Sequence, residues 1–172
     1  MIAEEVEVLY VEDDVADQEL TMRALRKEGL ANRIQIANDG EEALDFLFCR
    51  GAFSYRSFER PPRLILLDLK LPKVGGLDVL REIQLDPRTK TIPVVVLTSS
   101  VEQRDLIDSY QLGINSYLQK PVDFDNFREM IRQVGMYWLV VNRPPPVKTL
   151  AIKSEGQLAE LNPQPSSRNP PG

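Results

Sequence analysis

Polar side chains that could take part in phosphoryl transfer follow directly after short apolar segments of this chain. Asp68 comes at the end of the run 64–67, so a carboxylate stands where a buried strand is predicted to end. Two acids, a hydroxyl and an amine follow three other such runs: Glu12 and Asp13, Thr98, and Lys120. Because the carboxyl ends of parallel strands face the crevice where open α/β sheets bind ligands, these groups are expected to converge there. The pattern therefore predicts a phosphoryl-accepting site.

Asp68 is the nucleophile in this interpretation, and transfer of a phosphoryl group to its carboxylate would form an aspartyl phosphate. Such a transfer needs in-line positioning and neutralisation of the charge on the equatorial phosphoryl oxygens. Lys120 would supply a positive charge for this purpose, and Thr98 would supply a hydroxyl donor.

The remaining acids predict a metal site beside the nucleophile. Glu12 and Asp13 would repel Asp68 unless a cation lay between the carboxylates. Hard oxygen ligands suit Mg²⁺, which prefers few protein carboxylates together with phosphate oxygens. The backbone carbonyl of Lys70 could complete the metal shell, and Mn²⁺ is the alternative ion.

Taken singly, each of these residues has a common structural role. An acid pair after a strand often caps the following helix, and Asp14 or Asp17 is expected to do so. Asp68 alone could be a turn residue, and Thr98 alone could cap a helix. Their occurrence together, in chain order and at successive strand ends, favours the phosphoryl-accepting site.

The elements that position these residues alternate between β-branched apolar runs and longer amphipathic stretches, which is the pattern of βα units around a parallel sheet. The predicted strands lie near 6–11, 33–37, 63–67, 92–97 and 115–118. The predicted helices lie near 15–28, 40–50, 77–85, 102–112 and 123–141. Five βα units predict a three-layer α/β/α sandwich with a five-stranded parallel sheet in the flavodoxin-like order 2-1-3-4-5.

Composition excludes several other functions. The chain contains no histidine, so histidine-based hydrolysis and any phosphohistidine within this chain are excluded. A formal net charge of −5 disfavours a nucleic-acid partner. No apolar run approaches the roughly 18 residues of a membrane span. The single cysteine, Cys49, fits a reducing cytoplasm, so a cytoplasmic location is expected.

Composition also changes along the chain. Residues 1–142 are predicted to form the folded domain, and the proline-rich stretch 143–172 is predicted to be a tail that is disordered or loosely docked. The long aromatic and basic connection 51–62 has two open interpretations, a functional loop or a loop packed on its own aromatic rings.

Over about residues 6–141 the chain resembles a response-regulator receiver domain of two-component signalling. The motifs that carry this resemblance are Val11-Glu12-Asp13-Asp14, Leu67-Asp68-Leu69-Lys70-Leu71-Pro72, Gly75-Gly76-Leu77, Leu97-Thr98-Ser99 and Tyr117-Leu118-Gln119-Lys120-Pro121. The resemblance implies a receiver fold, a phosphoryl donor that is a phosphohistidine on a sensor histidine kinase, and Mg²⁺ as the metal. The insertion near 51–60 is similar to that of the small stand-alone regulators paired with phytochrome-type kinases.

The same resemblance implies a role for each site residue. Asp68 would be the phosphoacceptor, and Glu12 and Asp13 would form the acid pocket. Thr98 would be the switch hydroxyl, Tyr117 the switch aromatic, and Lys120 the lysine that is invariant in the family. Lys70 and Ser100 depart from many receivers, and they are expected to tune the lifetime of the phosphorylated state because they border the path of attacking water.

Phosphorylation is expected to bias a two-state element made of the fourth helix, the fifth strand and the fifth helix. Apolar side chains on that face predict a partner surface and a homodimer, since aromatic residues are enriched at interfaces. The candidate interface residues are Tyr110, Ile114, Tyr137 and Trp138.

Two readings other than a kinase-driven signalling switch remain open: a phosphate shuttle, and a receiver-like binding module that works without phosphate. An enzyme is not expected. An aspartyl-phosphate phosphatase of the haloacid dehalogenase type needs a second acid two residues after the nucleophile, where this chain has Lys70. A DNA-binding regulator would need a basic helix-turn-helix after residue 142, and the proline-rich tail lacks one.

Overall fold

The computed structural model describes residues 5–30, 33–120 and 123–145, in which one parallel sheet lies between two layers of helices. Its five strands are β1 (Val8–Val11), β2 (Ile34–Ala37), β3 (Leu64–Leu67), β4 (Val94–Thr98) and β5 (Ser116–Gln119). They are hydrogen-bonded in the order β2-β1-β3-β4-β5, so the predicted sheet order is confirmed. The predicted tail beyond Pro145, and Pro121 of the last motif, lie outside the described residues.

The helices follow the strands as predicted. They are α1 (Val15–Lys27), α2 (Gly40–Leu47), α3 (Gly76–Leu85), α4 (Gln103–Gln111) and α5 (Phe124–Gly135). The longest has 13 residues, and across the described part of the chain none has the length and apolar character of a bilayer-crossing helix.

The predicted helix over 123–141 is present, but its last part is not α-helical. The α-helix ends at Gly135, and Met136–Val141 continues it as a π-helical segment in which Asn142 N–H donates to the carbonyl of Tyr137. This run is apolar all round, so one α-helical face cannot bury all of it. The wider turn buries Leu139 and leaves Tyr137 and Val140 exposed.

The core consists of two halves, one on each side of the sheet. Every residue of β1, β3 and β4 is buried, as expected of central strands covered by helices on both faces. Alternate side chains pack toward α2 and α3 or toward α1 and α5; Val11 is in the first half and Tyr10 in the second. Helix α4 packs less deeply than the other helices. Of its nine residues, the buried one is Ser109. Within the described residues, the Ser109 hydroxyl has no hydrogen-bond partner.

Acidic side chains begin three of the helices. Asp14 Oδ1 accepts a hydrogen bond from the Asp17 backbone N–H at 2.9 Å, so Asp14 is the N-cap of α1. Asp39 caps α2 and Asp123 caps α5 in the same way. Of the two acids expected to cap the first helix, Asp14 therefore has that role.

A close backbone approach at Gly76 holds the loop that follows β3. A Cβ atom at Gly76 would lie 2.5 Å from the carbonyl oxygen of Asp68 and 2.6 Å from Leu69 Cα. Only glycine allows the first turn of α3 to pack this tightly against the segment that carries Asp68. The position of the carboxylate is thereby tied to the start of α3.

The connection 51–62 packs on aromatic rings, which was one of its two open interpretations. The Arg56 guanidinium lies 3.5 Å from the centroid of the Phe46 ring and also donates to the Phe46 carbonyl. The Phe53 ring meets Phe46 edge to face at 5.2 Å, and the Arg88 guanidinium covers Phe58 at 3.8 Å. A groove of about 390 Å³ lies beside this loop, at the amino-terminal ends of β3 and β4.

Candidate functional site

The groups predicted to meet at the carboxyl ends of the strands do meet there around Asp68. Thr98 Oγ1, on the last residue of β4, donates to Asp68 Oδ1 at 2.9 Å. Lys120 Nζ, on the residue after β5, donates to Asp68 Oδ2 at 3.0 Å. Each carboxylate oxygen of Asp68 therefore accepts a hydrogen bond from a side chain at the end of another strand, one from the adjacent β4 and one from β5 beyond it.

Lys120 is the cation around which the carboxylates of this site are grouped. Its ammonium contacts Asp68, Glu12 and Asp17, the last at 2.8 Å, and its side chain is 9% exposed. Burial alone would lower the pKa of Lys120. The hydrogen bonds to Asp17 and Glu12 and the charge of Asp68 outweigh it, so the pKa is raised. The ammonium consequently stays charged at any physiological pH.

The two buried acids beside Lys120 differ in their tendency to ionise. Burial raises the pKa of Glu12 to about 7, the Asp68 charge adds to this, and Lys120 opposes it. Burial also acts to raise the pKa of Asp68, but the charge of Lys120 and the hydrogen bonds to that carboxylate outweigh it and lower the pKa. Asp68 is therefore ionised at neutral pH, which is the form that a nucleophile requires.

The predicted metal ligands are only partly assembled. Glu12 is buried and paired with Lys120, whereas the side chain of Asp13 is exposed. Over residues 5–30, 33–120 and 123–145, no three acidic side chains converge closely enough to hold an ion by themselves. The donor types nevertheless fit a hard cation, because Mg²⁺ takes one or two carboxylates and completes its shell with other oxygens.

Lys70 and Ser100 connect the site to the start of α4. The Lys70 backbone N–H donates to Asp68 Oδ1 at 3.2 Å, and its ammonium lies 3.5 Å from Glu102 and 3.6 Å from Asp105. Ser100 Oγ donates to Asp105 Oδ2 at 2.6 Å. The side chains of both predicted rate-tuning residues are thus engaged with acids of the α4 region.

Thr98, Ser100 and Tyr117 form a chain of hydrogen bonds that leads away from Asp68. Thr98 Oγ1 accepts from the Ser100 backbone N–H at 3.2 Å, and the Tyr117 hydroxyl donates to the Ser100 carbonyl at 3.4 Å. Tyr117 is half-buried, and burial raises the pKa of its phenol. A displacement of Thr98 would therefore be felt at Ser100 and Tyr117.

The four candidate interface residues differ in exposure. Tyr110 and Tyr137 are each 52% exposed, and Trp138 is half-buried, with its ring edge to face against Tyr137 at 4.9 Å. The placement of Ile114 on the partner surface is wrong, because its side chain is 7% exposed and packs in the core with Ile92 and Val94. After Gly113 the chain turns inward before β5, which directs Ile114 into the core.

Asp17 is the site residue that the sequence pattern does not identify. It lies in the first turn of α1 and reaches Lys120, whereas the sequence suggested only a capping role for it. The available signal is its position: Asp17 follows the N-cap Asp14 by three residues, which places it in the first turn of α1, at the end near the carboxyl edge of the sheet.

Comparison with known proteins gives a consistent family assignment. Residues 8–132 match the family model described as the response regulator receiver domain. The probable methanogenesis regulatory protein FilR2 of Methanothrix harundinacea is 43% identical over 138 residues, covering 80% of this chain and 86% of FilR2. The response regulator Rcp1 of Synechocystis is 41% identical over 132 residues, covering 77% of this chain and 88% of Rcp1.

Solved structures are similar over the same region. The Mn²⁺-bound form of Rcp1 superposes with a TM-score of 0.73 at 38% identity, covering 80% of this chain and 97% of that one. The phosphorylated cyanobacterial phytochrome response regulator RcpA superposes with a TM-score of 0.74 at 35% identity, covering 81% of this chain and 99% of that one. These neighbours share the fold described above.

Proposed function

The chain belongs to the response regulator receiver domain family, and on that premise we propose that it accepts a phosphoryl group from a sensor histidine kinase onto Asp68. The observation that carries the proposal is the arrangement around Asp68, an ionised carboxylate bound on one oxygen by Thr98 and on the other by Lys120. Receiver domains are signalling proteins, and the conclusion is therefore a signalling switch.

In the proposed reaction, an oxygen of the Asp68 carboxylate attacks the phosphorus atom as the bond from phosphorus to the donor imidazole breaks. A new oxygen–phosphorus bond forms, and the histidine of the kinase leaves as a neutral imidazole after taking up a proton. Lys120 holds a positive charge beside the transferred group, and Thr98 offers its hydroxyl to a phosphoryl oxygen.

A divalent cation is part of the proposal. Glu12, Asp13, Asp68 and the backbone carbonyl of Lys70 would hold it, with Mg²⁺ as the proposed ion and Mn²⁺ as the alternative. When bound, such an ion neutralises charge on the phosphoryl oxygens. The Mn²⁺-bound Rcp1 structure supports a divalent ion in a relative of this chain.

The proposed output is a change at α4, β5 and α5. Thr98 now donates to Asp68, and a phosphoryl group there would offer it a stronger acceptor. Ser100 is hydrogen-bonded to Thr98, Tyr117 and Asp105. A movement of Thr98 would therefore displace Ser100 and, through Asp105, the start of α4. Tyr117 is therefore the proposed switch aromatic. Lys70 and Ser100 are the residues proposed to tune the rate of dephosphorylation.

The kinase is proposed to be of the phytochrome type, because Rcp1 and RcpA are both similar over most of their lengths and RcpA is described as a phytochrome response regulator. FilR2, described as a methanogenesis regulator, is similar to the same extent. A sensor kinase with another stimulus is therefore the second candidate, and transfer assays with purified kinases would distinguish the two.

The test of phosphate acceptance is incubation with acetyl phosphate, with Mg²⁺ or with EDTA, followed by intact-protein mass spectrometry. We expect one added phosphoryl group in Mg²⁺ and little or none in EDTA, because the clustered acids repel the donor when no cation is bound. Equal uptake in both buffers would contradict the metal requirement. No uptake in either would leave the phosphate-independent binding module as the better reading.

A homodimer on the α4–β5–α5 face is a further prediction, supported by the exposed rings of Tyr110 and Tyr137. We expect multi-angle light scattering to give twice the chain mass for the phosphorylated protein. Tyr137→Ser should lower that mass, because an exposed ring is lost from this face and its ring contact within the chain is with the half-buried Trp138. A monomer in both phosphorylation states would rule the dimer out.

A further inference from the structure

The ammonium of Lys120 has three protons and, among the described residues, three carboxylate partners. These partners come from three parts of the chain: Glu12 follows β1, Asp17 lies in α1, and Asp68 follows β3. Because a lysine head group has three donors, this set satisfies it fully. The direction of each N–H bond is therefore set by the other two.

The three partners are not equivalent during phosphoryl transfer. One carboxylate oxygen of Asp68 becomes the bridging oxygen of the new acyl phosphate, and Glu12 is a proposed ligand of the metal ion. Asp17 has neither role, so it is the partner that can keep its bond to Lys120 before and after the reaction. Its side chain is 39% exposed, which also leaves it outside the buried acid pair.

Asp17 is held in place independently of the reacting groups. Its backbone N–H donates to the N-cap Asp14 at 2.9 Å, and its carbonyl lies in the first turn of α1. Because α1 packs against α5 and the central strands, the Asp17 carboxylate is carried by a rigid element and not by the loops near Asp68. It can therefore act as a fixed anchor for the flexible lysine side chain.

We propose that Asp17 is a positioning residue that fixes the Lys120 ammonium against the phosphoryl group transferred to Asp68. The inference rests on the proposed phosphorylation of Asp68. Asp17 contacts neither the phosphoryl donor nor Asp68 in this proposal and acts through Lys120. What matters is an oxygen acceptor at this place, so an amide oxygen should substitute for the carboxylate.

The test compares three variants in acetyl phosphate with saturating Mg²⁺. Asp17→Ala should lower the rate constant of phosphorylation on the order of tenfold, because misplacing a catalytic group by a fraction of an ångström has effects of this size. Asp17→Asn should restore the rate to within about threefold of wild type, since the amide oxygen can accept from Lys120. Glu19→Ala removes an exposed acid from the same helix and should leave the rate unchanged.

A second readout needs neither metal nor donor. In the wild-type protein the buried Lys120 ammonium should give a ¹⁵N signal whose protons exchange slowly with water. Asp17→Ala should broaden or remove this signal, while Asp17→Asn and Glu19→Ala should keep it. The Mg²⁺ concentration for half-maximal phosphorylation should be the same in all four proteins, because Asp17 is outside the proposed ligand set.

The outcomes separate this inference from the proposed function. If the wild-type protein takes up phosphate and Asp17→Ala takes it up at the same rate, the role of Asp17 is overturned and the proposed function stands. An Asp17→Asn variant as slow as Asp17→Ala also overturns it, because charge and not an acceptor would then be required. Wild type that takes up no phosphate overturns the proposed function and this inference with it.

Discussion

Asp68→Asn is expected to abolish phosphate uptake from acetyl phosphate while the protein remains folded. The amide is not a nucleophile toward phosphorus, so no adduct should appear in intact-mass spectra under conditions that phosphorylate the wild type. The amide has nearly the shape of the carboxylate. Its oxygen can accept from Lys120, and its NH₂ group can donate to the Thr98 hydroxyl, which is able to accept, so the lost hydrogen bond is the one from the Lys70 backbone N–H.

The matched control for this substitution is Asp78→Asn. Asp78 is an exposed acid of α3 that pairs with Arg81, and the change removes the same charge from a side chain outside the group that binds the Asp68 carboxylate. This variant should take up phosphate as the wild type does. An adduct on Asp68→Asn with unchanged yield would show that another residue accepts the phosphoryl group.

Lys120→Met is expected to lower the free energy of unfolding at pH 7 by about 3–5 kcal/mol, the usual range for removing one partner of a buried ion pair. The substitution leaves the carboxylates of Glu12 and Asp68, with side chains 1% and 7% exposed, without their cation. Urea unfolding measures the loss. Lys73→Met is the control, since that lysine is 61% exposed, and it should cost far less than Lys120→Met because solvent screens its pair with Asp39.

The loss in Lys120→Met should shrink as the pH is lowered. In the wild type the pKa of Asp68 is lowered, so its contribution to stability is present at neutral pH and is lost on strong acidification. Without Lys120, burial raises the pKa of Asp68 as it already raises that of Glu12, and the folded variant then binds protons more readily than the unfolded chain. Its unfolding free energy should therefore rise from pH 7 to pH 5. A loss of equal size at both pH values would contradict this account.

Much of the fold follows from local sequence signals. The central strands are continuous apolar runs, such as 64–67 and 94–97, because both faces of the sheet are covered. Acids at helix starts and the alternation of strands with helices then give the order of elements. Most strand and helix ends lie within two residues of prediction, whereas α2 ends at Leu47 and not near residue 50 and the α-helical part of α5 ends at Gly135. The last residues of an element depend on neighbours that a local pattern does not contain.

The place of the site at the carboxyl edge of the sheet could be predicted from the sequence. The individual contacts between its side chains could not. Polar residues at successive strand ends must meet at one edge of a parallel sheet, which brings Asp68, Thr98 and Lys120 together. That Asp17 also binds Lys120 depends on how α1 packs, and that Ile114 is buried depends on the turn at Gly113. Tertiary packing decides both, and no spacing rule anticipates it.

The shallow anchoring of α4 has a consequence for the conformational populations of this protein. Its buried residue, Ser109, has an unpaired hydroxyl within the described structure, and such a group costs about 1–3 kcal/mol. A helix with few buried contacts has a small free energy of local opening. We therefore expect alternative positions of α4 to differ from the one described by a small energy, so that a modest gain from one new hydrogen bond at Thr98 would change their populations severalfold.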